Sequence, residues 1–319
     1  ALLNQDDPDY AVERLDLNYP RDLAGGLAAA IDELCQRAEQ AARDGKAILV
    51  LSDRHIGKDK LPIHALLATG AVHHHLVKAG LRCDVNLVVE TGTARDPHHF
   101  AVLIGYGATA VYPYLAYEVI AELLRQNAFK GVTLSDLCRN YRKGINKGLY
   151  KIISKMGIST ITSYRVAHLF EIVGLHDEVV ERCFTGSVSR IQGANFEDLE
   201  DDQEILAEMA FHPGQGLKQG GLLKFMHGGE YHAYNPDVVR ALQEAVETGD
   251  YEIYKEYARL VNERPATVLR DLLKLKLADQ PLPLDEVEPI EDILPRFDSA
   301  GMSLGALSPE AHEALAIAM

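Results

Sequence analysis

Compact apolar runs alternate with helical periodicity between residues 46 and 126. KAILVLSD (46–53) is apolar almost throughout and ends in polar residues, the pattern of a strand buried on both faces of a parallel sheet. LPIHALLATGAVHHHLVKAG (61–80) then has helical length and pattern, with Pro62 opening it and Gly80 as its stop. A second buried run, CDVNLVVE (83–90), follows about 35 residues after the first, a natural pitch for a βαβ unit. DPHHFAVLIGYGATAVYPY (96–114) predicts a short helix, a glycine turn and a third brief strand at Ala110–Tyr112. The core is therefore expected to be α/β: a small parallel sheet of βαβαβ type with right-handed crossovers, flanked by helices.

From Leu115 onward the pattern turns helical. TLSD (133–136) reads as a capping box with Asp in place of Glu, and Leu134, Leu137, Tyr141, Ile145, Leu149, Ile152 and Met156 step by three or four, predicting one long amphipathic helix. Residues 157–235, rich in Gly, His and Asp, predict long ordered loops with short helices. Helix is expected again at Pro236–Thr248 and Tyr251–Val261, followed by an extended, proline- and acid-rich linker over 277–297. This makes the remainder of the chain a helix- and loop-rich extension of the sheet. GMSLGALS (301–308) is strand-like, and Pro309 starts a helix whose apolar face is unfinished at Met319, as in a segment cut just inside its next domain.

Charge narrows the function classes. Lys and Arg number 32 against 47 Asp and Glu, a formal net charge of −15, which disfavours a general nucleic-acid or anionic-membrane surface. No window approaches the roughly 18 uninterrupted apolar residues of a membrane span, and the first residues hold no signal-peptide pattern. The chain reads as soluble, intracellular and cytoplasmic. Cys35, Cys83, Cys138 and Cys183 are widely spaced with no CxxC pair, so buried free thiols are expected.

The chemical candidates are few. Adjacent helical residues point about 100° apart, so His73, His74 and His75 do not converge on one ion. His64 and His75 share a face but stand too far apart for one zinc; a metal site would need one of them to join His98 or His99. GQGLKQGG (214–221) lacks both the spacing and the strand-to-helix context of a phosphate loop and reads as a structural turn. No GxSxG elbow is present, and Cys183 has no recognisable base. The more unusual feature is basic: Arg139, Lys143, Lys147, Lys151 and Lys155 recur every fourth residue, with Arg142 beside them. This is either a solvated helix face or a docking strip for an acidic partner or neighbouring domain.

Several segments resemble the glutamate synthase large-subunit family: ILVLSDR (48–54), LLATGAVHHHLVKAGLR (66–82), GYGATAVYPYLAYE (105–118), NKGLYKIISKMGISTITSYR (146–165), FTGSVSRIQG (184–193), GGEYHAYNP (228–236) and GMSLGALSPEAHEALAIAM (301–319). They run in the family's order along nearly the whole chain. The resemblance implies that residues 1–297 are the family's central domain and 298–319 the first strand and helix of its FMN-binding (β/α)8 barrel. It implies neighbouring amidotransferase and FMN domains on the same polypeptide, FMN and a 3Fe–4S cluster in the parent enzyme, and ferredoxin or an NADPH-linked small subunit as electron donor. The implied reaction is reductive transfer of the glutamine amide nitrogen to 2-oxoglutarate, giving two glutamates, with imine reduction at FMN. No catalytic residue carries over, and Ala1 stands where the family's amidotransferase has its cysteine. Gly301, Met302 and Ser303 match the strand that faces flavin and are the cofactor-side candidates, with barrel core as the alternative. SKMGIS (154–159) is a candidate for packing against that barrel. This chain is then a connector, without bound cofactor and inactive alone. Two alternatives are a metal-dependent α/β hydrolase using the histidines and a noncatalytic docking module for an acidic electron carrier.

Helix geometry predicts the outcome of metal analysis: purified protein is expected to carry substoichiometric zinc, manganese and iron, and a stoichiometric content of any of them would favour the hydrolase.

Overall fold

The computed structural model describes residues 7–214 and 220–319. It divides into two compact units, Ala1–Leu217 and Lys218–Met319. The first unit contains β1 (Val12–Asp16), β2 (Asn18–Pro20), α1 (Gly26–Arg43), β3 (Ile48–Ser52), β4 (Lys60–Pro62), α2 (Ala65–Lys78), β5 (Asn86–Glu90), α3 (Pro97–Gly105), β6 (Ala110–Tyr112), α4 (Tyr114–Arg125), α5 (Leu134–Lys155), α6 (Ile161–Tyr164), β7 (Glu171–Leu175), α7 (Asp177–Cys183), β8 (Val188–Ala194) and α8 (Phe196–Phe211). The second contains α9 (Pro236–Thr248), α10 (Tyr251–Asn262), α11 (Ile290–Ile293) and α12 (Pro309–Ala318).

The main sheet is parallel in the order β1-β3-β5-β6. Spatial order follows chain order, so right-handed crossovers place α1, α2 and α3 on one face. One row in register, Leu15, Leu51, Val89 and Val111, faces those helices; the next row, Asp16, Ser52, Glu90 and Tyr112, points the other way. Leu49, Leu51 and Leu87 pack with Ile31 and Leu34 of α1 and with Ala68, Val72 and Leu76 of α2. A second apolar cluster joins Val89, Phe100 and Leu103 to Ile145, Leu149 and Ile153 of α5 and to Tyr164.

Several expectations need correction. The sheet has a fourth strand, β1, whose mixed VERLD pattern suits a half-buried edge and carries little apolar signal. Pro62 does not open α2: it ends β4, paired antiparallel with β2, a short edge pairing that tolerates proline. His64 is the true N-cap, its Nδ1 accepting from the Leu66 amide at 3.3 Å. Residues 157–235 are more regular than loops, holding the parallel pair β7–β8 and the 16-residue helix α8. Acids at the start of α8 read as polar loop, yet a helix N-terminus favours them. Asn195 caps it reciprocally with Asp198. Residues 301–308 form turns and irregular backbone, not a strand, since they have no ladder partner among the described residues. The expected long helix is present as α5, with the Thr133–Asp136 capping box in place.

The triple histidine belongs to the core. His73 and His74 are buried, and His73 Nδ1 accepts from Arg82 Nε at 2.9 Å while Arg82 also donates to the carbonyls of Val85 and Gly107. Burial and then the Arg82 charge hold His73 down at about 3; burial, with His168 and Lys78 nearby, holds His74 at about 4. His75 instead reaches α1, its Nε2 lying 2.7 Å from Glu39 Oε2. The small residues of α2 let neighbours close in. At Gly70 a methyl group would overlap the Cys183 carbonyl oxygen of α7.

Because that oxygen is backbone, Gly70→Ala is expected to cost about 1–3 kcal/mol in urea unfolding by forcing α2 and α7 apart. The two depressed histidines set a pH dependence. The unfolded chain takes up protons below 6.5 while the folded chain resists until about 3 to 4, so stability present above 6.5 is lost as pH falls through that window. The melting temperature is expected to drop by roughly several degrees between pH 7 and 5, and His74→Leu to reduce that drop.

Candidate functional site

In parallel α/β sheets, ligand sites lie beyond the carboxyl ends of the strands. Here β3 runs into Ser52, Asp53 and Arg54, and β5 into Glu90, Thr91 and Gly92. Ser52, Asp53, Glu90 and Thr91 are all buried. Arg14 of β1 donates from Nη2 to Ser52 Oγ (2.8 Å) and Glu90 Oε2 (3.0 Å), and Ser52 Oγ donates to the same Oε2 at 2.6 Å. From the other side Arg54 donates to Glu90 Oε1 at 3.1 Å and to Glu118 of α4 at 3.0 Å, its guanidinium lying 4.8 Å from the centre of the Tyr114 ring. Asp53 forms a second knot: it accepts from Thr91 Oγ1 at 2.5 Å and from the Gly92 amide at 3.0 Å, close to the Tyr114 hydroxyl. Burial and the Asp53 charge push the Tyr114 phenol upward. Two buried carboxylates thus have their oxygens already engaged, which suits holding strand ends together and leaves neither poised as a base or nucleophile.

Beside these knots lies a cleft of about 650 Å³ lined by His64, Thr93, Arg95, His98, His99 and Gln203 with Leu66, Val102, Leu115 and Leu206. Two smaller cavities, about 240 and 280 Å³, adjoin it at Leu66. His99 Nδ1 accepts from the Arg95 and Asp96 amides (3.2 and 3.4 Å), closing the α3 capping box, while His64 Nδ1 caps α2 by accepting from the Leu66 amide. Each ring is fixed as the tautomer with its proton on Nε2. Burial pushes the His64 imidazole down, against the pull of Asp53. The cleft offers imidazole N–H donors among leucines, a surface for a small polar molecule.

The other expected residues are not gathered there. His73 to His75 lie along α2 in the interactions described above, and no group of three His, Cys, Asp or Glu side chains able to hold a metal occurs among the described residues. All four cysteines are free; Cys35 and Cys183 are buried, but Cys83 is exposed and Cys138 half-buried, so the expectation of buried thiols holds for two. Burial pushes Cys35 up to about 12, so it is inert. Gly301, Met302 and Ser303 are exposed, and nothing lies within 4 Å of a Cβ built on Gly301. Arg139, Lys143, Lys147, Lys151 and Lys155 are all exposed on α5. GQGLKQGG falls largely on residues 215–219, outside the described residues. No helix among the described residues is long and apolar enough to cross a membrane.

Reading the sequence for motifs missed Arg14, Asp53, Glu90 and Thr91. Their signal was positional: charged and hydroxyl residues immediately after, or at the end of, two buried apolar runs.

Comparison with known proteins places the chain in a family. Residues 1–176 match the family model for the glutamate synthase central domain, and residues 232–319 match the conserved region in glutamate synthase. The ferredoxin-dependent glutamate synthase of Pyropia yezoensis is 45% identical over 302 residues, covering 91% of this chain and 20% of that protein. The NADH glutamate synthase of Schizosaccharomyces pombe is 40% identical, covering 100% of this chain and 16% of that protein. The NADPH glutamate synthase large chain of Bacillus subtilis is 38% identical, covering 98% and 20%. The chain therefore spans at most about a fifth of the length of these relatives. With more than half its length matched by the central-domain model, this chain belongs to the glutamate synthase family.

Proposed function

We propose that this chain is the connector of a cytoplasmic glutamate synthase, lying between an amidotransferase domain and an FMN domain of the same polypeptide. The parent activity in this reading is reductive transfer of glutamine amide nitrogen to 2-oxoglutarate. Electrons would come from ferredoxin or an NADPH-linked small subunit. Residues 1–297 form the connector, and 298–319 contribute the opening segment and helix of the FMN-binding barrel, where residues 301–308 would become a strand on pairing with the rest of the barrel and Gly301, Met302 and Ser303 would face its flavin. FMN and the iron–sulfur cluster belong to the parent enzyme, where they supply the reducing electrons.

The observation that carries the connector reading is the saturation of the Glu90 and Asp53 knots. Their oxygens are engaged by Arg14, Arg54, Ser52, Thr91 and Gly92, so these groups position rather than react. The adjoining cleft, with imidazole N–H donors among leucines, has the chemistry to wall part of a path for ammonia.

In the full-length enzyme, Glu90→Gln is expected to uncouple the two half-reactions. More glutamine would be hydrolysed per 2-oxoglutarate consumed, with free ammonia released; an unchanged ratio in a folded variant would refute the connector role. The isolated chain is expected to show neither synthase activity nor flavin absorbance after dialysis, and a stoichiometric yellow chain would refute that part.

A further inference from the structure

The basic row of α5 has a geometry that sequence spacing alone does not reveal. Positions four apart advance about 40° per step, so any such row winds around its helix. The buried row Ile145, Leu149 and Ile153 has the same spacing and winds in the same sense. Lys143, Lys147 and Lys151 each precede a buried position by two residues, about 200° away, so the two rows stay on opposite sides of the helix along its length. Every lysine of the row through Lys155 is consequently exposed, over about 24 Å counted from Arg139.

Among the described residues, nothing in the first unit accounts for the row. Arg139 pairs with Asp136 at 3.0 Å, but Lys143, Lys147, Lys151 and Lys155 have no carboxylate within ion-pair distance among the described residues. Like charges at i, i+4 repel, and only Lys155 lies in the last turn, where the helix dipole favours a cation. The row therefore opposes the helix that carries it, in a chain of formal charge −15.

We infer that this row is a docking strip for a separate acidic protein that binds transiently. Charge complementarity selects the acidic partner. The strip presents hydrated ammonium groups, the composition of a steering surface; a permanent contact would be more apolar.

The probe is a fluorescent helical peptide with glutamate at every fourth position, titrated by anisotropy against the full chain, with a DNA duplex and phosphatidylserine vesicles in parallel. The peptide is expected to bind the parent chain, with affinity falling at least tenfold between about 20 and 200 mM salt. Affinity should fall at least tenfold in the variant carrying Lys143→Glu, Lys147→Glu, Lys151→Glu and Lys155→Glu, which retains its circular dichroism. The control Lys274→Glu with Lys276→Glu should bind like the parent. The inference is overturned if the fourfold variant binds within about twofold of the parent, if the control loses as much, if DNA or vesicles bind the strip more tightly, or if sedimentation shows self-association through it. Should the fourfold variant unfold, Lys147→Gln with Lys151→Gln replaces it, and binding within about twofold of the parent again overturns the inference.

Discussion

The Glu90 carboxylate, held between two guanidinium groups, organises the carboxyl end of the sheet. Arg14 comes from the edge strand and Arg54 from the loop after β3, and Arg54 continues to Glu118 on α4. One side chain thereby ties β1, β3, β5 and α4 together. Its side chain is only 10% exposed, so removing it would leave two cations without their shared counter-charge, a loss of about 3–5 kcal/mol for a buried pair. Both arginines are partly exposed, 28% and 37%, which puts the cost here toward the lower figure. The Asp53 knot needs that frame, because Thr91 and Gly92 are placed by the strand that Glu90 terminates.

Much of this architecture was legible in residue patterns. Buried runs identified β3 and β5, the Thr133–Asp136 box located the start of α5, and helix was expected at Pro236–Thr248, where α9 lies. What escaped was structure defined by partners rather than by local pattern. β1 is a strand because β3 lies beside it, and residues 301–308 lack any such neighbour among the described residues. The candidate site was half legible: helix geometry already showed that the adjacent histidines do not converge. The knots were not, because Arg14 and Glu90 are 76 positions apart and become neighbours only when the parallel register forms.

Glu200 shows the same dependence on distant pairing. It lies on α8, yet its carboxylate accepts from the Leu27 amide at the start of α1 and from the Tyr19 hydroxyl. Gly26, with φ of 56°, leaves room for it, and any Cβ there would collide with that carboxylate. An acid from late in the chain thus completes a helix end near its beginning, where unsatisfied amides favour negative charge.

The shortness of β6 has a consequence of its own. An outer parallel strand presents unpaired amides and carbonyls that can recruit another chain. With only the three residues Ala110–Tyr112, followed at once by Pro113 and α4, β6 offers a stranger too few ladder positions to extend the sheet. The sheet ends by running out of strand, a built-in defence against edge-to-edge aggregation while the polypeptide is being made.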